Sequence, residues 1–160
     1  MSSNIDDYLI DPADKDWAKL LAGWVPFLPS EFTVWMVNRF GDAICIFADG
    51  SIHYLDTGSG EVRRLAGDED DFCTKIDQGD NADDWLMIPW VDDCVAAGLR
   101  LGPNQCYGFK IPPVLGGKYE IDNIEVTDLA VHLSFSADIY RQTKDLPEGT
   151  PVTGVTFKRG

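Results

Sequence analysis

The sequence has few of the residues from which catalytic and metal sites are built. Its 160 residues include 2 histidines and 4 cysteines, with no CxxC pair and no histidine close to a cysteine. The common zinc and redox motifs are therefore absent, and we expect no metal and no other cofactor. Two of the cysteines stand among apolar residues, so we expect small buried side chains at Cys45, Cys73, Cys94 and Cys106.

Long apolar runs and a basic N-terminal segment are also lacking. No apolar run approaches the roughly 20 residues that cross a membrane. The first 17 residues are acidic, whereas a secretory signal has a basic stretch followed by an apolar one. The sequence therefore predicts a cytoplasmic protein that does not associate with membranes.

Basic residues are scarce, with 13 Lys or Arg against 27 Asp or Glu and a formal charge of −14. A field of this sign disfavours nucleic acid as a partner and suits a basic protein. Hydrophobic residues still make up 44% of the chain, which is too much for a disordered acidic tail. A chain of this length can bury a core of its own without disulfides or a metal.

The sequence up to residue 65 predicts one helix and then a meander of strands. The helix opens at Asp11 with Pro12 at its first position, and Pro26 and Pro29 end it. Its buried stripe is expected to contain Ala13, Trp17, Leu20, Leu21 and Trp24. Strands are predicted at 33–40, 43–47, 52–56 and 61–65. Because their starts lie too close together for crossover helices, we expect antiparallel pairing.

Helices are predicted over residues 68–98, where the chain is most acidic. An interruption at 78–81 separates the first helix from a second segment. We expect Gly98 to cap this segment at its C-terminal end. Helical spacing places Trp90, Cys94 and Ala97 on the face toward the core.

The remaining residues predict a strand, a long helix and a final strand. The first strand lies at 106–110, between loops rich in glycine and proline. Thr127 or Asp128 caps the helix, which runs to about Lys144. Its apolar face is expected to contain Val131, Phe135 and Ile139. A final strand is predicted at 152–157.

These elements together predict an α+β fold. An antiparallel meander sheet carries flanking helices, and a C-terminal strand–loop–helix–strand segment follows. The composition changes near residues 99–104, which suggests two regions, 1–100 and 101–160. We expect the second region to pack on the first as one compact unit.

Recognisable catalytic motifs are missing. His53 lies in a predicted strand and His132 near the start of the last helix, and a lone histidine in such places is usually structural. No serine or cysteine stands in a nucleophile motif, and the GSG at 58–60 lacks the spacing of a phosphate-binding loop. We therefore predict no catalytic residue and no enzyme. A small hydrolase that uses the carboxylates and His53 is the remote alternative.

Acidic residues are concentrated between residues 68 and 93. Ten carboxylates stand there against Lys75, which gives a charge of −9 over 26 residues. The spacing does not match a calcium-binding EF-hand loop. Acidic helix starts on a solvated face are one interpretation, and a docking surface is another, because aromatic residues are interleaved with the acids. The candidate partner-binding residues are Asp80, Asp83, Asp84, Trp85, Trp90, Asp92 and Asp93.

A longer pattern resembles a known family. The segment LGPNQCYGFKIPPVLGG at 101–117, with DN at 122–123 and VHLSFSADIY in the last helix, resembles the C-terminal domain of type VI secretion DNase-immunity proteins. The upstream segment WMVNRFGDAICIFADGSIHYLDTGSGEVRRLA is similar to the GAD-related domain of that family. The likeness covers roughly 15–157, and the fold is similar to the wider SMI1/KNR4-like group. The motif residues expected to be structural are Gly102, Tyr107, Gly108, Phe109, Pro112, Gly116, Gly117 and Asn123.

The resemblance implies a non-catalytic inhibitor. Such a protein would bind a cognate secreted nuclease toxin in the cytoplasm of the producing cell, and its acidic face would meet the basic nuclease. The alternative is an SMI1/KNR4-like regulatory or scaffolding module that binds some other protein and has no toxin partner. A neighbouring toxin gene would separate these two functions, while the oligomeric state stays open.

Overall fold

An antiparallel sheet of five strands lies at the centre of the structure, a computed structural model that describes residues 5–13 and 15–145. Each strand pairs with the next along the chain, so the order across the sheet is β1 to β5. These strands are β1 (Leu9–Ile10), β2 (Phe32–Asn38), β3 (Ala43–Phe47), β4 (Ile52–Leu55) and β5 (Val62–Ala66). A separate two-stranded antiparallel sheet pairs β6 (Gln105–Phe109) with β7 (Ile124–Asp128).

The predicted meander is confirmed. Strands β2 to β5 occupy the four predicted segments to within a few residues, and their pairings are antiparallel. Gly50 makes the tight turn between β3 and β4, with φ of 85° and its N–H donated to the carbonyl of Phe47. Neither β1 nor β7 was predicted. β1 has only two residues, whereas β7 was missed although apolar and polar residues alternate along it as in a half-buried strand.

The helices of the described residues are mostly short. They are α1 (Trp17–Leu20), α2 (Glu69–Ile76), α3 (Asn81–Trp85), α4 (Ile88–Ala96) and α5 (Leu129–Thr143). Within the described ranges no helix is long and apolar enough to span a membrane. The strand predicted at 152–157 lies outside the described residues.

The sheet is covered on both faces, because successive side chains of a strand point to opposite sides. On one face Ile44 and Tyr54 belong to a hydrophobic cluster that includes residues of α2, α3 and α4. On the other face Cys45 and Leu55 belong to a cluster that includes residues of α5. This arrangement explains why β3 is an almost continuous apolar run rather than an alternating one. The α+β prediction, with helices flanking a meander sheet, is confirmed.

The first helix begins later than predicted. The carboxylate of Asp11 accepts a hydrogen bond from the N–H of Ala13 in a local turn, which competes with helix formation. The α-helix instead begins after Asp16, whose side chain accepts from the N–H of Lys19. Of the predicted stripe, only Leu21 and Trp24 are buried, at 0% exposure each. A 3₁₀ turn at Ala22–Phe27 carries Trp24 into the core.

The last helix was predicted in the right place, but its inward face was predicted only in part. Its cap is Asp128, whose carboxylate accepts from the N–H of Val131. The buried stripe consists of Leu129, Leu133 and Ala137, spaced four residues apart. Val131 is 59% exposed, because it lies half a turn away from that stripe. Among the predicted residues, Phe135 is half-buried and Ile139 is buried.

The face of α4 was also predicted only in part. Val91 and Cys94 are buried, whereas Trp90 is half-buried and Ala97 is exposed. The helix ends as predicted at Gly98, which has φ of 83° and is followed by a bond from the N–H of Leu99 to the carbonyl of Cys94. The core-facing side of α4 is thus rotated toward Val91, and this rotation brings Trp90 to the rim of the core.

Candidate functional site

The acidic segment forms a layer of three helices, α2 to α4, over one face of the central sheet. Its apolar residues point inward, and Phe72, Leu86 and Val91 are at most 2% exposed. All five aspartates of the predicted contact are exposed, namely Asp80, Asp83, Asp84, Asp92 and Asp93. The layer therefore presents carboxylates to solvent while its other side completes the core.

Two of these aspartates are held by neighbours from other elements. Asp84 lies 3.5 Å from the guanidinium of Arg63 on β5. The hydroxyl of Tyr8, which precedes β1, donates to Asp92 over 2.8 Å. In contrast, the carboxylates of Asp80, Asp83 and Asp93 form no ion pair or hydrogen bond with other described residues. These three are the acids most available to a partner.

Two of the acidic residues are tied to opposite edges of the sheet. Arg63, which lies near Asp84, is on the edge strand β5, and Tyr8, which donates to Asp92, directly precedes the edge strand β1. We call the exposed residues Asp80, Asp83, Asp84, Asp92 and Asp93 the acidic strip.

The two predicted tryptophans differ in burial. Trp85 is 5% exposed, and its ring stacks on Phe72 with centroids 5.2 Å apart. Its carbonyl also accepts a hydrogen bond from the side chain of Asn38. Trp85 is therefore a core residue and cannot serve as a surface anchor, which corrects its assignment to the contact. Trp90 is half-buried, with its ring 6.5 Å from that of Tyr119.

The predicted structural motif builds a loop over residues 110–123. The side chain of Asn123 accepts from the N–H of Ile111 and donates to the carbonyls of Ile111 and Lys118. A Cβ on Gly117 would lie 1.7 Å from the carbonyl oxygen of Ile111, so only glycine fits there. Gly116 has φ of 96°, and the carbonyl of Pro112 accepts from the N–H of Gly117.

The other motif residues join β6 to the rest of the molecule. The N–H of Tyr107 donates to the carbonyl of Arg39, and its hydroxyl donates to the carbonyl of Leu99. A Cβ on Gly108 would lie 3.3 Å from the ring of His132, so a larger residue would crowd α5. Phe109 is half-buried beside Phe40. The N–H of Gly102 donates to the side chain of Gln105.

A buried polar cluster below the end of β2 was not predicted. Asn38 donates to the hydroxyl of Tyr54, which in turn donates to Asp42 over 2.6 Å. Asp42 also accepts from the N–H and the hydroxyl of Thr57, whose hydroxyl lies 3.3 Å from Nε2 of His132. A possible sequence signal was a pair of polar residues, Asn38 and Asp42, around a glycine turn between two apolar strands.

Burial moves the pKa values of this cluster in opposite directions. Desolvation, together with the charge of Asp56, raises the pKa of Asp42 to about 6. Desolvation lowers the pKa of His132 to about 4. Burial also raises the pKa of Tyr54. At neutral pH His132 is thus uncharged, as expected of a structural histidine.

The remaining nucleophiles and bases do not converge on the acidic strip. His53 stacks on Phe47 with ring centroids 3.8 Å apart. Its Nε2 lies 2.9 Å from the hydroxyl of Ser51, and that hydroxyl donates a hydrogen bond to the carboxylate of Asp49. His53 alternates with Tyr54 along β4, so it lies on the sheet face opposite the acidic helices. Among the described residues, no group of three or more His, Cys, Asp or Glu could hold a metal ion.

Three of the four cysteines are buried, as expected, and Cys73 is exposed. Burial raises the pKa of Cys45 and of Cys106 to about 12, and that of Cys94 to about 11. Such thiols are protonated at neutral pH and act as small apolar side chains.

An open cleft of about 690 Å³ lies on the sheet face away from the acidic helices. Its walls are mainly apolar and include Trp17, Leu21, Val25, Phe32 and Phe47. Neither histidine lines it, so the cleft and the titratable side chains described above do not form a joint site.

A family model matches part of the chain. Residues 66–140 match the family model described as "T6SS immunity protein Tdi1, C-terminal". The match contains α2 to α4, most of α5, the acidic strip and the 110–123 loop. The predicted likeness to a type VI secretion immunity family is thus confirmed for this segment. The likenesses to a GAD-related domain and to the SMI1/KNR4-like group stay predictions, as does the division near residue 100.

A solved structure is also similar. The crystal structure of Atu4351 from Agrobacterium tumefaciens aligns with a TM-score of 0.49 and 19% identity. The alignment covers 75% of this chain and 60% of that one, so this chain spans about three fifths of that structure. A search of the curated proteins found no match.

Proposed function

Starting from the type VI secretion immunity family whose model residues 66–140 match, we propose that the protein binds and neutralises a cognate secreted toxin. The family match is the observation that carries this proposal. The inhibition is non-covalent, because binding alone suffices to cover a toxin surface. The toxin is a nuclease, and the acidic strip is the surface that meets it.

The charge distribution supports a nuclease partner. A nuclease must attract phosphate, so the surface around its active site is basic. The segment 68–93 concentrates ten carboxylates against one lysine. A surface of this sign offers the toxin a substitute for the charge of its substrate, and it speeds the encounter of the two proteins.

The acids of the strip differ in their roles. The carboxylates of Asp80, Asp83 and Asp93 have no hydrogen-bond or ion-pair partner among the described residues, so within that part of the chain they can pair with Lys or Arg of the toxin without breaking existing bonds. Asp84 and Asp92 are already oriented by Arg63 and Tyr8. A preset orientation lowers the entropy lost when these two acids meet a basic partner.

The proposed placement is tested with two double variants of equal charge. Asp83→Asn with Asp93→Asn removes two acids from the strip, whereas Glu31→Gln with Glu61→Gln removes two exposed acids elsewhere. Both pairs keep side-chain size and helix-forming capacity close to the original. The toxin encoded beside this gene, inactivated at its own catalytic site, serves as the binding probe in calorimetry.

We expect the strip variant to raise the Kd about tenfold or more, and the control pair to change it less than threefold. Equal effects of both pairs would mean that bulk charge acts rather than this surface. No binding by the unmodified protein, or the absence of a toxin gene beside it, would contradict the immunity function and favour the regulatory module. Survival of cells that co-express the active toxin is the matching test in vivo.

A further inference from the structure

Exposed apolar side chains are concentrated on the 110–123 loop. Seven large apolar residues are exposed in the described part of the chain, and three of them lie in one nine-residue stretch of this loop, 111–119. They are Ile111 at 56%, Val114 at 42% and Tyr119 at 67% exposure. The other four are spread over the molecule at Ile5, Val25, Val95 and Val131. Scattered apolar residues need no explanation, whereas a group on one loop points to a contact.

The loop holds these side chains on a fixed backbone. Besides the three side-chain bonds of Asn123, the N–H of Lys110 donates to the carbonyl of Asn123 over 2.7 Å. The N–H groups of Leu115 and Gly117 both donate to the carbonyl of Pro112. Hydrogen bonds to Asn123 restrain both ends of the loop, and those to Pro112 restrain its middle. The loop therefore loses little conformational entropy when it binds a partner.

The ring of Tyr119 is held in place although it is exposed. It meets Phe109 edge-on at 5.5 Å and lies 6.5 Å from Trp90. Phe109 in turn lies 6.3 Å from Phe40, which belongs to the core. Tyr119 is therefore the outer end of an aromatic chain that reaches the interior. Rigid tyrosine and tryptophan side chains of this kind are the usual anchors of protein interfaces.

The apolar patch continues into the acidic strip. Trp90 stands on α4 one turn before Asp93, so the two side chains lie on the same side of that helix. Glu120 and Asp122 add exposed carboxylates at the end of the loop. A partner that covers Tyr119 must therefore also face acids, and its own rim must be basic.

On the basis of the proposed function, we propose that Ile111, Val114 and Tyr119 form the apolar anchor of the toxin contact. Tyr119 enters an apolar depression on the toxin, while basic residues around that depression pair with the acidic strip. The two surfaces have separate tasks, since the acids attract the toxin and the anchor holds it. The glycines, proline and asparagine of the motif then have a shared purpose, which is to present the anchor in one conformation.

The anchor is tested with Tyr119→Ala and Val114→Ser, each measured against the inactivated product of the adjacent toxin gene. Val131→Ser is the matched control for Val114→Ser, because Val131 is an exposed valine, at 59% against 42% for Val114, but lies on α5. Tyr119→Phe keeps the ring and removes only the hydroxyl. We expect Tyr119→Ala to raise the Kd at least tenfold and Val114→Ser at least threefold, whereas Val131→Ser and Tyr119→Phe change it less than twofold. The Tm of each variant shows that folding is intact.

The outcomes separate this inference from the proposed function. If the unmodified protein binds the toxin and both anchor variants bind equally well, the anchor is refuted and the immunity function stands. If the unmodified protein does not bind, the proposed function fails and the anchor fails with it. A loss of affinity shared by Val131→Ser would point to a general effect of apolar surface and would also overturn the anchor.

Discussion

At the scale of single residues, the buried Asp42 and the half-buried His132, which both contact Thr57, make stability depend on pH in two opposing ways. The pKa of Asp42 is raised from 3.8 to about 6, so the native state holds a proton that the unfolded chain releases. Its contribution is present below pH 3.8 and is lost as pH rises through about 6. The pKa of His132 is lowered from 6.5 to about 4, so its contribution is present above 6.5 and is lost as pH falls through about 4.

Between about pH 4 and pH 6 the native state holds one more proton on Asp42 and one fewer on His132 than the unfolded chain, so the two effects on stability cancel. Substituting either residue should therefore reveal the pH dependence that the other one causes. In Asp42→Asn only His132 remains, and the free energy of unfolding should fall by about 2 kcal/mol relative to wild type between about pH 6.5 and pH 4.5. His132→Gln should show the opposite trend over the same range. Urea unfolding of the three proteins at the two pH values measures this double difference. Parallel curves for all three would show that neither group titrates as its burial implies.

At the scale of elements, the sequence predicted well those features that depend on neighbouring residues and predicted poorly those that depend on tertiary packing. The four central strands were predictable because glycine turns and apolar runs are local features. The start of α1 was not, because Asp11 and Asp16 are both acceptable caps, and the side chain of Asp11 instead accepts from the N–H of Ala13 in a local turn. The face of α5 was predicted only in part, since Val131 lies outside the buried stripe whereas Ile139 is buried.

The 110–123 loop yields an element-scale prediction through Asn123. Replacing Asn123 with alanine removes three hydrogen bonds that join Ile111 and Lys118. We expect amide hydrogen exchange at Ile111 to accelerate at least tenfold, because a bond of about 1.5 kcal/mol changes an opening equilibrium by roughly that factor. The amides of β6 inside the sheet serve as the internal control.

Retained protection at Ile111 in this variant would mean that the backbone bonds suffice to hold the loop. Asn123→Asp is informative beside it, because aspartate can still accept from the N–H of Ile111 but cannot donate to the two carbonyls. Its exchange rate should lie between those of wild type and the alanine variant.

At the scale of the whole molecule, the sequence located the candidate surface but not its arrangement. The charge of the 68–93 segment was visible directly, and all five aspartates proved to be exposed. The burial of Trp85 could not be read from the sequence, because its partner Phe72 comes from another helix. The contact of Tyr119 with Trp90 joins residues 29 positions apart, so the apolar patch emerges only from the fold.

The proposed division of work between acids and anchor predicts different kinetics for the two surfaces. Charges on exposed helices act over distance and are screened by salt, so they govern the rate of association. Raising NaCl from about 50 to 500 mM should slow association with the toxin about tenfold and leave dissociation nearly unchanged. Asp83→Asn with Asp93→Asn should make this salt dependence shallower.

The anchor variant should behave in the reverse manner, because packed apolar contacts act only once the proteins touch. Tyr119→Ala is expected to dissociate at least tenfold faster, with the same salt dependence of association as the unmodified protein. Surface plasmon resonance over a series of NaCl concentrations measures both rates for each protein. If the tyrosine variant instead changed the salt dependence, the two surfaces would not act separately, and the acids and the aromatic loop would have to be treated as one contact.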